Sequence, residues 1–179
     1  MSRRGEEELS RTLGTRIVGV LGFNKAVFRD IYEDDFSDFQ AQQMVLMAAI
    51  SIMIGLIVAG PTFAFIGAIV IGLRWLVISE MIARQGVEEY PNRAEDFTRK
   101  RAMRIVGYSS GPLLLTFFFA IPIVGPITWV VLNAWSLTAI AVGARVILGD
   151  PPMSKIAVML AIGGIPQLAL LIGALIALP

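Results

Sequence analysis

The chain has 179 residues, of which 56% are hydrophobic and only 16% charged, and it contains no cysteine and no histidine. Soluble domains are about 45–50% apolar and about 25% charged, so this composition predicts an integral membrane protein. The missing residue types exclude disulfides, Ser-His-Asp or Cys-His nucleophiles and thiolate or imidazole metal sites, and a net charge of +1 gives no reason to expect nucleic-acid binding.

Residues 1–40 are predicted to form a cytoplasmic segment with a short amphipathic helix. Helical spacing places apolar side chains on one face and charged side chains such as Arg16 and Lys25 on the other. The apolar face comprises Ile17, Val20, Leu21, Phe28, Ile31 and Tyr32. This face predicts either an interfacial helix on the cytoplasmic leaflet or a helix docked on the cytoplasmic ends of a bundle. The acidic residues between positions 33 and 38 are interpreted as a solvated start of the first span.

Residues 41–179 are predicted to form a transmembrane domain of five helices. A helical span needs about 20 mainly apolar residues, and such runs cover approximately residues 41–59, 62–83, 103–121, 127–148 and 156–178. Glycine and proline separate the runs at residues 60–61, 122–126 and 149–152. The third run is the weakest, because residues 107–112 are rich in glycine, serine and proline, and it is predicted to begin late or to bend.

Basic residues indicate the orientation of these spans. All but one of the 15 Lys and Arg residues lie in the N-terminal segment, in the connection between the second and third spans, or beside the fourth connection. Five spans place these 14 residues on one side of the membrane, which the positive-inside rule assigns to the cytoplasm. The fold class is therefore an all-α integral membrane protein with its N-terminus inside and its C-terminus outside.

The remaining basic residue, Arg74, is predicted to lie near the middle of the membrane, where an arginine costs at least about 2.5–3.5 kcal/mol. Glu80, Asn133 and Gln167 are its candidate partners, and Glu80 is also spaced to pair with Arg84. Two interpretations stay open. The four residues line a polar cavity that receives an anionic group, or Arg74 is a structural hydrogen-bond hub or a strained, snorkelling side chain.

Catalysis has little support in the sequence. Serine chemistry lacks its histidine, and aspartyl intramembrane proteolysis needs two aspartates in the membrane, whereas Asp150 lies alone in a loop. No glycine loop of the Walker type is present either. The chain is therefore predicted not to be an enzyme, and no cofactor or metal is expected.

The third predicted span begins with Gly107-Tyr108-Ser109-Ser110-Gly111-Pro112, which fits the pattern Gly-Tyr-x-x-x-Pro. With the amphipathic element around Phe28 and Ile31, the five spans and the basic loop before the third span, this layout resembles the Yip family, the Ypt/Rab-interacting membrane proteins. The resemblance extends from about Lys25 to the C-terminus. Eukaryotic members carry Asp-Leu-Tyr/Trp-Gly-Pro where residues 35–39 read Asp-Phe-Ser-Asp-Phe here, which favours a prokaryotic-type member over a Rab-binding one.

Gly107, Tyr108 and Pro112 also have a purely structural interpretation. Glycine permits close helix approach, proline bends or begins a span, and a tyrosine anchors well at the inner membrane interface.

Together these features predict a non-catalytic membrane-organising or adaptor protein of a prokaryotic cytoplasmic membrane. Besides the lipid bilayer, it would bind a membrane-protein partner or a second copy through its N-terminal helix and residues 85–104. The alternative is a small transporter or lipid-handling protein with a polar intramembrane cavity around Arg74. An intramembrane enzyme that uses carboxylates is the least supported hypothesis.

Overall fold

The computed structural model describes residues 12–149 and 151–177, so Asp150 and the predicted end of the fifth span at residue 178 lie outside the described residues. Within these ranges every regular element is helical. The α-helices are α1 (Leu13–Leu21), α2 (Lys25–Glu33), α3 (Ser37–Leu56), α4 (Pro61–Glu89), α5 (Arg99–Tyr108), α6 (Val124–Leu148) and α7 (Met153–Ala177). The 3₁₀ segments are Ile57–Ala59, Pro91–Asp96 and Gly111–Ala120.

Four helices in the described part of the chain are long and apolar enough to cross a membrane. They are α3 with its 3₁₀ extension, α4, α6 and α7, which agrees with the predicted all-α membrane class. The predicted third span is divided into α5 and the segment Gly111–Ala120, which are bent by 46° relative to each other. The α-helix ends there because Pro112 has no N–H to donate and its ring clashes with the preceding turn.

Two ends of the bundle can be defined by contacts between helices. At one end, the Tyr90 hydroxyl donates to the Leu148 carbonyl at 2.9 Å, and Lys155 Nζ lies 2.8 Å from Glu89 Oε1. We call this the basic end, formed by residues 89–101, 148–149 and 151–155. The opposite end, formed by residues 57–63 and 120–126, is called the far end.

We call α5 together with Gly111–Ala120 the bent segment. It follows α3 from the basic end towards the far end. A Cβ added to Gly107 would lie 2.7 Å from the Cβ of Ala41, and one added to Gly55 would lie 2.3 Å from the carbonyl oxygen of Thr116. Ala41 and Gly55 are separated by about 21 Å along α3 at about 1.5 Å per residue. The two glycines therefore let the backbones of α3 and the bent segment approach closely along most of α3.

The ten-residue 3₁₀ segment is long for this type of helix, in which runs beyond three or four residues are uncommon. Its period of about three residues per turn aligns one face, which is buried. That face comprises Leu113, Thr116 and Phe119. Ser51 on α3 supports the backbone, because its Oγ donates to the Leu114 carbonyl at 2.8 Å and accepts from Phe117 N at 3.0 Å.

The N-terminal segment corrects the prediction of one continuous amphipathic helix, because α1 and α2 are separate. Phe23 between them has a φ of 55°, and Asn24 Oδ1 accepts from Ala26 N at 3.0 Å as the N-cap of α2. The two helices pack on each other at Gly19, where an added Cβ would lie 2.6 Å from Val27 Cγ2. We call this pair the N-terminal hairpin, residues 13–33.

The N-terminal hairpin packs on α5 and α6 through its apolar face. Its buried residues Val20, Phe28, Ile31 and Tyr32 form one cluster with Ala41, Ile105, Tyr108 and Ala139. Ile17 and Leu21 of the predicted face are only half-buried. The turn of the hairpin reaches the middle of α6, where Trp135 Nε1 donates to the Leu21 carbonyl at 3.1 Å. The hairpin therefore covers α5 and α6 in the half of the bundle nearer the basic end.

Candidate functional site

Arg74 lies near the middle of α4 and is 5% exposed. Its Nη1 donates to Asn133 Oδ1 at 3.5 Å, and its Nη2 donates to Ser136 Oγ. Ser136 in turn donates to the Ser109 carbonyl at 2.7 Å. Among the described residues, Arg74 is thus hydrogen-bonded to neutral side chains and forms no ion pair. The predicted contact with Asn133 is present, and Ser136 is an additional partner that the sequence analysis missed.

Gln167 on α7 is 1% exposed, and neither its Nε2 nor its Oε1 has a hydrogen-bond partner. The Nε of Arg74 is also without a partner. Gln167 lies one turn from Gly163, where an added Cβ would be 3.8 Å from Arg74 Cγ. The contact between α4 and α7 thus holds two side chains with unmet hydrogen-bonding capacity in the apolar middle of the bundle.

Glu80 does not join this group. Its carboxylate binds Arg84 Nε at 2.6 Å and lies 3.8 Å from Arg99 Nε, with 37% of the Glu80 side chain exposed. Residues six positions apart lie on different faces of a helix, which explains why Glu80 and Arg74 do not meet. Of the four residues in the predicted polar cluster, Arg74 and Asn133 are bonded, Gln167 is nearby, and Glu80 is a surface ion-pair partner.

A second polar site, at the basic end, was not predicted. Arg16, assigned above to the exposed face of the N-terminal helix, is 1% exposed. Its Nη2 lies 2.8 Å from Asp30 Oδ2 and 2.5 Å from Asp34 Oδ2, and its Nη1 donates to Ser37 Oγ at 2.7 Å. Burial alone would lower the pKa of Arg16, but hydrogen bonds to the aspartates raise it above its ordinary value. The guanidinium therefore stays charged and ties α1 to α2 and to the start of α3.

Arg104 on α5 is the second buried cation of this site, also 1% exposed. Its Nε donates to Asp38 Oδ1 at 2.6 Å, its Nη1 donates to the Tyr32 carbonyl at 2.8 Å, and its Nη2 binds Asp35. Lys100 Nζ lies 2.7 Å from the other oxygen of Asp38. Acidic residues interpreted from sequence as a solvated helix start are therefore partners of buried arginines. We call Arg16, Arg104 and their aspartates the arginine network.

The residues of the Gly-Tyr-x-x-x-Pro pattern take part in this packing. Tyr108 is fully buried, so the prediction that it anchors at the membrane interface is wrong; its hydroxyl donates to Gln40 Oε1. Arg16 Nη1 donates to the same oxygen at 3.2 Å. Gly107 lies against α3, and Pro112 is the second residue of the 3₁₀ segment. The pattern therefore marks a tightly packed junction beside the arginine network.

The connection between α4 and α5 is held against the rest of the basic end. The Tyr32 hydroxyl donates to the Asp96 carbonyl at 2.7 Å, and burial raises the pKa of Tyr32 to about 12. The Tyr90 ring stacks on Phe97 with centroids 5.5 Å apart, and its hydroxyl binds the Leu148 carbonyl. This fixed connection presents three polar side chains outwards, which we call the loop surface: Asn92, Arg93 and Glu95.

Comparison with known proteins found no matching family model, no matching curated protein and no matching solved structure. The resemblance to the Yip family therefore remains a prediction carried by the sequence pattern. What the geometry adds is the packing role of Gly107 and Tyr108 and a rigid polar surface at the basic end.

Proposed function

We propose that this chain is a non-catalytic integral membrane protein that organises or links partners at the cytoplasmic face of a prokaryotic cytoplasmic membrane. The loop surface is the observation that carries this proposal. Its backbone is fixed through Tyr32 and Tyr90, while Asn92, Arg93 and Glu95 are exposed. A surface that is already ordered loses little conformational entropy when a partner binds, which favours recognition by polar contacts. The resemblance to the Yip family supports the same class of function.

The proposed topology has five crossings, with the basic end in the cytoplasm. Ten 3₁₀ residues extend about 20 Å at about 2.0 Å per residue, and Ile105 to Tyr108 add about 6 Å. Their sum approaches the roughly 30 Å thickness of a hydrocarbon core. The contacts of this segment with Ala41 and later with Gly55 support a crossing beside α3 rather than a loop that re-enters. The N-terminal hairpin then lies in the cytoplasmic half of the bundle.

The partner surface proposed here differs from the predicted apolar face of the N-terminal helix. Val20, Phe28 and Ile31 are buried against α5 and α6, so a partner could reach them only after the hairpin had detached. Polar substitutions at these positions would test the attachment of the hairpin and not the binding of a partner. The loop surface is accessible without any rearrangement.

Site-specific cross-linking in the native membrane tests the proposal. A photoreactive amino acid at Asn92 is expected to give one discrete product, with either another membrane protein or a second copy of this chain. The same group at Ile123, which is 83% exposed at the far end, is the matched control and should not give that product. Exchanging the charges of Arg93 and Glu95 keeps the net charge and should abolish the product. Native mass spectrometry of gently extracted protein then gives the stoichiometry, and a lone monomer without any Asn92 product would contradict the proposal.

One observation favours a second candidate, a small transporter or lipid-handling protein. Arg74 Nε and both polar atoms of Gln167 lack partners, and each buried unsatisfied group costs about 1–3 kcal/mol. A bound anionic group between α4 and α7 would recover this energy. Loss of a co-purified lipid or anion in Arg74→Leu would support this candidate. Equal or greater stability with unchanged binding and activity would leave Arg74 as a hydrogen-bond hub only.

A further inference from the structure

A groove of about 470 Å³ lies between α2 and α6 at the basic end. It is lined by Lys25, Arg29, Val142, Arg145, Val146 and Gly149. Half of these residues are cations, contributed by two different helices, and none is acidic. Lys25 and Arg29 are exposed, and neither forms an ion pair with a described residue. Cations elsewhere at this end, such as Lys100 and Lys155, are paired with carboxylates.

The position of the groove along α6 locates it relative to the bilayer. Val142 lies about 27 Å along α6 from its first residue, Val124, at about 1.5 Å per residue. Since a hydrocarbon core is about 30 Å thick, Val142 lies just inside its cytoplasmic boundary and Arg145 lies at that boundary. Lys25 shares the groove with Val142 and is therefore near the level where acyl chains meet headgroups. This placement rests on the proposed orientation of the basic end.

The electrostatics of the groove favour an anion. Lys25 and Arg29 are four residues apart on α2, so their side chains lie on the same face. Lys25 is the first residue of α2, and the partial positive charge of a helix N-terminus adds to its own charge instead of offsetting it. Neither cation is paired with a carboxylate of the described residues, and Glu33, one turn after Arg29, lines a neighbouring groove. An anion bound between the two cations would therefore supply their counter-charge.

We propose that this groove binds the headgroup of an anionic phospholipid of the inner leaflet. The phosphate lies between Lys25 and Arg29, where both side chains donate charge-assisted hydrogen bonds to its oxygens. The acyl chains run along Val142 and Val146, which provide the apolar wall of the groove. A soluble anion would use the same cations but not this wall, so a lipid is the occupant that fits the whole groove. Basic pockets between helices on the cytoplasmic side bind lipid headgroups in this manner.

Native mass spectrometry of the purified full-length chain, titrated with lipid in detergent, tests the proposal. Phosphatidylglycerol is the probe, and phosphatidylcholine with identical acyl chains and inorganic phosphate are the comparison ligands. The variant carries Lys25→Gln and Arg29→Gln. The matched control carries Arg99→Gln and Lys155→Gln, two exposed cations of the same end that are paired with Glu80 and Glu89.

The wild type is expected to bind one phosphatidylglycerol more tightly than phosphatidylcholine. The groove variant should bind it about 25-fold more weakly, about fivefold for each cation removed, and the control should stay within about twofold. Exchanging the two cations, Lys25→Arg with Arg29→Lys, keeps the charge and should retain the lipid. This exchange and the lipid comparison on the wild type decide the question even if the glutamine variant does not fold.

Equal affinity for the two lipids, or equal weakening in variant and control, would overturn the proposal. Inorganic phosphate that competes at equal concentration with phosphatidylglycerol would also overturn it, because the acyl chains would then contribute nothing. Any of these results, obtained while the Asn92 cross-link stays intact, would leave the proposed function standing. Loss of the Asn92 cross-link with lipid selectivity intact would instead contradict the proposed function and leave the lipid site standing.

Discussion

Replacing Arg16 by leucine tests whether the arginine network holds the N-terminal hairpin on the bundle. The Arg16 side chain is 1% exposed and lies 2.8 Å from Asp30 and 2.5 Å from Asp34. It also donates to Ser37 and Gln40 on α3. Leucine fills part of the same space but removes all of these bonds. The variant therefore isolates the contribution of the guanidinium from that of apolar burial.

The free energy that the hairpin loses in Arg16→Leu depends on how deeply the aspartate partners of Arg16 are buried. Breaking a buried ion pair costs about 3–5 kcal/mol. Asp30 is 42% exposed and Asp34 is 16% exposed, so water regains part of their solvation and we expect about 2–3 kcal/mol. At about 1.4 kcal/mol per factor of ten, the hairpin should open about 30- to 150-fold more often than in the wild type.

Hydrogen–deuterium exchange measures this opening directly. Amides of α1 and α2 should exchange about 30- to 150-fold faster in Arg16→Leu, while those of α6 keep their protection. Arg93→Leu is the control, because its pair with Asp96 is exposed, with 69% and 39% exposed side chains. Such a pair contributes at most about 1 kcal/mol, and the hairpin should be unaffected. Equal exchange in the two variants would refute the role given to Arg16.

Three further predictions concern stability. Gly107→Ala should lower the free energy of unfolding by about 1–3 kcal/mol, since its Cβ would lie 2.7 Å from that of Ala41. The control Gly111→Ala, whose Cβ would have no atom nearer than 3.5 Å, should be nearly neutral. Similar thermal denaturation of the two variants would be inconsistent with the close approach. Ser51→Ala should cost about 1–3 kcal/mol by leaving backbone groups of the 3₁₀ segment unpaired, and unchanged exchange in that segment would argue against it. The raised pKa of Tyr32 stabilises the fold fully below about pH 10, and this contribution is lost as the pH rises to about 12. Tyr32→Phe should remove this alkaline loss of stability. Melting curves with the same pH dependence in both proteins would contradict the raised pKa of Tyr32.

Helix positions could be predicted because hydropathy and chain breaks act locally. Gly60 and Gly149 have positive φ angles of 119° and 64°, and each stands at a predicted break. The contact between Arg74 and Asn133 was also predictable, since a polar side chain inside a bundle requires a polar partner. The bend at Pro112 was expected from the composition of residues 107–112, but its 46° angle and the 3₁₀ geometry that follows were not.

The arginine network could not be predicted from periodicity. Arg16 and Arg104 join residues up to 72 positions apart in sequence, and helical spacing alone assigns such charged side chains to the solvent. The available signal was the dense acidic run itself, because the five carboxylates of residues 30–38 repel one another unless cations lie among them. Likewise, Ser136 lies three residues after Asn133 on one face of α6, and that spacing could have identified it as a second acceptor for Arg74.

Five crossings with the basic end in the cytoplasm require Asn92 and Ile123 to face opposite sides of the membrane. The chain contains no cysteine, so single cysteines at these exposed positions can be labelled with a membrane-impermeant maleimide in sealed vesicles of known orientation. The prediction is that Asn92→Cys and the matched position Ser154→Cys label only from the cytoplasmic side, and Ile123→Cys only from the outside. Labelling of Ile123→Cys from the same side as Asn92→Cys would show that residues 99–120 re-enter instead of crossing.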